Sequence, residues 1–182
     1  PVDPLSETML MDSDLSRYKV IYTSGPNLRR DVAAKLVKWV EAGGVLFTSG
    51  GGLAKNEFNE PVPELQAVLG LAARKPMEEW RKMPRYGAAG LGVLGIPSKD
   101  KNSIPSISVQ ANSSALPSLE PLQLGREVLE PVGQTHVLAK YSDGSPAVTR
   151  NTYGKGQAFV VGFFAGGEYG AGVFQRTYDT AV

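Results

Sequence analysis

Ser49 is the residue whose neighbours most invite chemistry. It closes the apolar run Val45-Leu46-Phe47-Thr48 and opens onto Gly50-Gly51-Gly52. A hydroxyl on a tight turn after a buried strand is where some hydrolases keep a nucleophile, but that elbow needs a glycine two residues before the serine. Phe47 stands there. The same turn could hold an anion or a polar ligand through backbone N–H groups, although no helix start follows closely. Glu168 and Tyr169, within Gly-Gly-Glu-Tyr-Gly-Ala-Gly, lie in a second glycine-rich exit after an apolar strand. Ser49, Gly50, Gly51, Glu168 and Tyr169 are therefore the candidate ligand-binding set, suited to a sugar or another polar small molecule. A backbone-exposed turn and an exposed loop acid are the plainer readings of the same residues.

Other chemistries fall away on composition and context. The 182 residues include no cysteine and one histidine, His136. Disulfides, thiolate ligands and cysteine nucleophiles are excluded within this chain, as is a multi-histidine metal centre. Gly90-Leu91-Gly92-Val93-Leu94-Gly95 has the dinucleotide spacing but lies between Pro84 and Pro97, without the preceding strand and following helix that the motif needs. Gly154-Lys155 lacks the upstream glycine of a phosphate loop. Glu78 and Glu79 are adjacent and would point apart on a helix. No catalytic residue, metal ligand or cofactor is assigned. With 19 basic and 18 acidic residues the net charge is +1, too little to hold a nucleic acid or an anionic membrane by a long-range field. No apolar run approaches the roughly 20 residues of a membrane helix. Compartment is not assigned.

The elements that must position Ser49 read clearly. Tyr18-Lys19-Val20-Ile21-Tyr22 is rich in β-branched and aromatic residues and predicts a strand. Asn27 is a plausible N-cap for a helix over Leu28 to Ala42, whose apolar face carries Val32, Leu36, Trp39 and Val40. Gly43 suits its stop. Val45 to Thr48 is a short continuous apolar strand of the kind buried on both faces in a parallel sheet. Strand, crossover helix and strand make a βαβ unit, so the fold class is α/β. Pro63 to Leu71 reads as a short helix. Residues 72–121 read as an irregular insertion, with a strand over Ile104 to Val109 and an exposed aromatic at Trp80. Beyond Leu122 the pattern is β: Glu127 to Glu130, Thr135 to Tyr141, an Asp143-Gly144 hairpin signal, Pro146 to Thr152, a turn at Tyr153 to Gly156, and Gln157 to Phe163. One domain spans 1–182.

Two stretches resemble a known family. Asp14-Leu15-Ser16-x-Tyr18-Lys19-Val20, followed by the helix ending Trp39-Val40-Glu41-Ala42-Gly43-Gly44-Val45-Leu46, is similar to the middle domain of thermophilic-type bacterial β-galactosidases, called the β-galactosidase trimerisation domain. Val137 to Gly156, with its Asp-Gly turn and Arg150-Asn151-Thr152-Tyr153-Gly154-Lys155-Gly156, looks like the same family's closing hairpin. Together the matches cover about half of the chain. The resemblance implies a flavodoxin-like, class I glutamine amidotransferase-like three-layer sandwich with a mainly parallel sheet and a C-terminal β-hairpin region. It implies a non-catalytic accessory or oligomerisation role in a larger bacterial protein linked to carbohydrate processing. The expected partner is protein, either a second copy or other domains, with carbohydrate as a second candidate. The family's opening βαβ unit would lie upstream of Pro1, so the domain is expected to be truncated at its N-terminus. Amidotransferase relatives use a cysteine nucleophile, which this chain lacks. Two rival readings stand beside this one: a sugar-binding module using the loops after Thr48 and Phe163, and a cysteine-free hydrolase with Ser49 as nucleophile.

Overall fold

The computed structural model describes residues 3–23, 25–76, 107–111, 119–122 and 127–163. The lead-in folds into a short helix α1 (Glu7–Asp12), with Ser6 accepting a hydrogen bond from the Met9 N–H, and a 3₁₀ turn (Leu15–Arg17) capped by Asp14. Strand β1 (Val20–Thr23), helix α2 (Arg30–Glu41) and strand β2 (Val45–Ser49) are the expected βαβ unit. Helix α2 buries Val32, Ala33, Leu36, Trp39 and Val40, the apolar face read from the sequence with Ala33 widening it. Its start differs from the expectation. The N-cap position is Arg29, with no side-chain cap, and Asn27 instead donates its amide to the Asn56 carbonyl at 2.7 Å and to Asn59 Oδ1 at 3.0 Å. The helix start is capped from a distant loop, where Glu57 Oε2 accepts the Arg30 N–H at 3.0 Å.

Helix α3 (Pro63–Leu69) starts on a proline and stops at Gly70 in the left-handed region, as prolines and glycines at those positions favour. Next come β3 (Leu71–Pro76), β4 (Ile107–Ala111), β5 (Leu119–Leu122), β6 (Glu127–Pro131), β7 (His136–Tyr141), β8 (Pro146–Tyr153) and β9 (Gly156–Val161). The stretch read as irregular, 72–121, thus supplies strand β4 and parts of β3 and β5. Trp80, Glu78, Glu79 and the 90–95 glycine run lie outside the described residues.

The main sheet has the order β1-β2-β9-β8-β7-β4-β5, and β3 pairs with β6 in a separate antiparallel ribbon. β1, β2 and β9 are parallel, which is the α/β core that the sequence predicts. The hairpin strands β7 and β8, together with β4 and β5, then extend this core with four antiparallel ladders, so antiparallel pairings outnumber parallel ones among the described residues. The helices lie against the sheet face that carries Ile21, Leu46, Ala158 and Val160, in one cluster with Leu10, Leu36, Leu65 and Val68. The opposite face carries Tyr22, Phe47 and Phe159 in register. These are the helix and sheet layers of an α/β sandwich. A smaller cluster of Ala139, Tyr141, Ala147, Val161 and Phe163 fills the hairpin end.

Candidate functional site

The turn after β2 is built by three strand ends. Ser49 lies level with Val161 of β9 and is 8% exposed. The Gly50 N–H donates to the Phe163 carbonyl at 3.0 Å, the Gly52 N–H to the Ser49 carbonyl at 2.7 Å, and the Leu53 N–H to the Gly25 carbonyl at 2.9 Å. Most donors of this turn therefore point into the protein, not toward a ligand. Gly51 has φ +78°, and a Cβ built there would meet nothing within 4 Å, so its surroundings are open. Leu53, at φ 59°, holds a left-handed backbone without being glycine and is buried. That conformation costs about 1–2 kcal/mol, and burial of its side chain in the core cluster offsets it.

Arg74 clamps the turn from the β3–β6 ribbon. Its guanidinium donates to the Gly52 carbonyl and to Glu127 Oε2, at 3.1 Å from Nε and 2.6 Å from Nη2. Both charged side chains are 8% exposed. Sequence reading missed this pair, because 53 residues separate its members and only the β3–β6 register, with Arg74 opposite Leu129 and Glu127 opposite Pro76, makes them diagonal neighbours.

Ser49 has no histidine base within reach. His136 is exposed and opposite Arg150, which is level with Phe159 and Phe47. It lies three strands from β2, or roughly 14 Å at about 4.8 Å per strand. Glu168 and Tyr169 lie outside the described residues. Among the described residues no group of three His, Asp or Glu side chains could hold a metal ion, and no helix is long and apolar enough to cross a membrane.

Two cavities among the described residues lie elsewhere. A groove of about 1110 Å³ runs beside β1, between the Asp3 to Leu10 segment and Gly25, Asn27, Leu28 and Leu53. A cleft of about 300 Å³ sits at the start of α2, lined by Arg30, Asn56, Glu60 and Glu64. Beside it Glu57 is held below the ordinary carboxylate range, by its own backbone N–H and then by Arg30. The Arg30 guanidinium also lies 4.9 Å from the exposed Phe58 ring.

The Arg-Asn-x-Tyr-Gly-Lys-Gly stretch has a packing role. Asn151 Nδ2 donates to the Ala67 and Val68 carbonyls at 3.1 and 2.9 Å, capping the C-terminal end of α3. The Lys155 N–H donates to the Glu41 carbonyl at 2.9 Å. A Cβ at Gly154 would lie 2.7 Å from the Glu41 carbonyl oxygen, and one at Gly156 2.1 Å from that of Val40. This motif therefore docks the β8–β9 turn onto the ends of both helices.

No protein-family model and no curated protein matches the chain. Solved structures match its fold. Gan42B, a GH42 β-galactosidase from G. stearothermophilus, is 20% identical with a TM-score of 0.61, over 93% of this chain and 22% of that one. The cold-adapted β-galactosidase from Rahnella sp. R3 is 24% identical with a TM-score of 0.60, over 93% and 24%. The exo-β-1,4-mannosidase Op5Man5 from Opitutaceae bacterium strain TAV5 is 18% identical with a TM-score of 0.55, over 93% and 25%. The chain thus spans about a quarter of the length of these structures. At such identities the likeness is one of fold.

Proposed function

We propose that this chain is a non-catalytic accessory domain that makes protein contacts within a larger carbohydrate-processing protein. The observation that carries the reading is the fold likeness. Almost the whole chain superposes on one quarter of chains that include two β-galactosidases and an exo-mannosidase. A domain shared by glycosidases of different sugar preference suits an architectural role better than a sugar-specific one. The β2 turn supports the reading, since Gly50, Gly52 and Leu53 spend their N–H groups on internal carbonyls. The finer role is oligomerisation, with the class I amidotransferase-like ancestry implied by the sequence resemblance. The test is light scattering on a longer polypeptide that carries these residues, with and without them. Deletion is expected to lower the assembly mass. An unchanged mass with unchanged activity would overturn the proposal.

A second reading, a sugar site at Ser49, Gly50, Gly51, Glu168 and Tyr169, is favoured by the open surroundings of Gly51. Calorimetry against a glycan panel checks it: heat that is lost in Gly51→Val supports the site, and no heat with any glycan removes it.

A further inference from the structure

The β3–β6 ribbon lies outside the main sheet and packs against β8. Hydrogen bonds fix its position. At one end the Glu127 N–H donates to the Gly162 carbonyl at 2.6 Å, and the Gly162 N–H donates to the Ala147 carbonyl at 2.8 Å. At the other end Thr135 donates from Oγ1 to the Gly70 carbonyl at 2.9 Å, and the same oxygen lies 3.3 Å from Asn151 Oδ1. β6 and the turn after it therefore follow β8 from Ala147 to Asn151, with Thr149 in the middle of that span. Arg74 is opposite Leu129, and Glu127 stands two residues before Leu129. All three share the inner face of the ribbon.

The two ends of the ribbon are held by different forces. At the Gly70 end, Leu71 is buried in the core cluster, and the Val132 N–H donates to the Gly70 carbonyl at 3.0 Å. At the Glu127 end the hold is polar: the Arg74–Glu127 pair, the bond from Arg74 to the Gly52 carbonyl and the Glu127 N–H. Separating a buried ion pair into water returns the hydration that burial removed, which offsets much of the lost attraction. Exposing the apolar end returns nothing of the kind. Beneath the ribbon the Thr149 hydroxyl is fully buried and has no hydrogen-bond partner among the described residues. Water that reaches it removes the penalty of an unmade bond. Lifting the polar end therefore costs the burial of Leu129 but rehydrates Arg74, Glu127 and Thr149.

We propose that the β3–β6 ribbon is a strap that closes the helix side of the strand-end crevice, hinged at its Gly70 end and latched by Arg74 and Glu127. In open α/β sheets ligands sit outside the carboxyl ends of the strands. Gly52 and Gly162 follow β2 and β9 at those ends, and the latch covers the carbonyl of each. Lifting it uncovers both carbonyls and the Thr149 hydroxyl while Leu71 stays in the core. Access to this polar set is then governed by one ion pair. The strap does not rest on the contact-making role proposed above, and its test does not read assembly mass.

The chain has no cysteine, so a single introduced thiol reports opening without background. Thr149→Cys places a thiol of similar size beneath the ribbon, and Val32→Cys places one in α2, where Val32 is fully buried. Both are exposed to a thiol reagent over a urea series below the unfolding transition. Local opening exposes little surface and responds weakly to urea, whereas global unfolding responds fully. The expected result is that Thr149→Cys reacts at least about tenfold faster than Val32→Cys in water, with the shallower urea slope, and that the two converge at the transition. Arg74→Lys, which keeps the charge but loses the planar fork, should speed the Thr149→Cys reaction several-fold. In the unaltered chain the Glu127 amide should exchange with a shallower urea slope than the amides of α2, a readout that needs no substitution. Equal rates and slopes at the two thiols overturn the proposal. So does a Thr149→Cys thiol that reacts as fast as in the unfolded chain, since the ribbon would then close nothing, and so does a rate that Arg74→Lys leaves unmoved.

Discussion

Two glycine turns in this chain look alike in sequence and differ in what they are for. Ser49-Gly50-Gly51-Gly52 follows a buried strand at the place where α/β folds usually bind ligands, and Tyr153-Gly154-Lys155-Gly156 joins two hairpin strands. At Gly51 only the backbone angle calls for glycine, because the space around it is empty. At Gly156 the space itself is missing, with the Val40 and Gly44 carbonyl oxygens 2.1 and 2.4 Å from where a Cβ would sit. The turn that looked chemical has room, and the turn that looked ordinary holds the helices to the sheet.

The sharpest way to break this contrast is a pair of alanine substitutions. Gly156→Ala pushes a methyl into backbone atoms that cannot rotate away, and is expected to cost more than about 4 kcal/mol, enough to unfold a marginal domain. Gly51→Ala meets no atoms and bears only the left-handed backbone, roughly 1–2 kcal/mol. Urea midpoints of both variants check this. Equal losses would mean that the two turns do the same job.

The contrast also explains what could be read from sequence. The βαβ unit was legible because its signals are local: the spacing of Val32, Leu36, Trp39 and Val40, the apolar run at Val45 and the stop at Gly43 each lie within one element. Asn27 misled, because an N-cap needs a side chain at one position, and Glu57 supplies the same hydrogen bond from 27 residues away. Arg74 and Glu127 were illegible for the same reason. Of the candidate site, sequence placed Ser49 and Gly51 correctly at a strand exit. It could not show that the neighbouring N–H groups are spent on Phe163, Ser49 and Gly25, since those partners come from three segments.

The Arg74–Glu127 pair is the next handle on the β2 turn. Arg74→Met strands a buried carboxylate and frees the Gly52 carbonyl, and a cost of about 3–5 kcal/mol is expected. Arg74→Met with Glu127→Leu removes both charges and should recover most of that loss. If the double variant is as unstable as the single, the clamp on Gly52, and not the stranded charge, holds the turn. On the hairpin side the matching change is smaller. Asn151→Ala removes two hydrogen bonds to the end of α3, worth about 1–2 kcal/mol together, and hydrogen exchange should quicken first in α3.

The start of α2 sharpens the comparison in its gentlest form. There an anion position is filled from within the chain, by Glu57, whereas the β2 turn offers few free donors to any anion. The carboxyl of Glu57 is held below its ordinary value of 4.5 by its own backbone N–H and by Arg30. A depressed folded-state value means that the stabilisation is present above the unfolded value and is lost as pH falls through the folded one. Denaturation midpoints of the parent chain and of Glu57→Gln should therefore differ near neutrality and converge as the pH drops below about 4.5. Asp31, on the same turn, is also held below its ordinary value of 3.8. Burial pushes it up, but Arg29 and the Val32 N–H outweigh that and hold it low. It is common to both proteins and cancels in the difference. A gap that stays constant with pH would mean that the glutamine amide caps the helix as well as the carboxylate, and that geometry rather than charge fills this site.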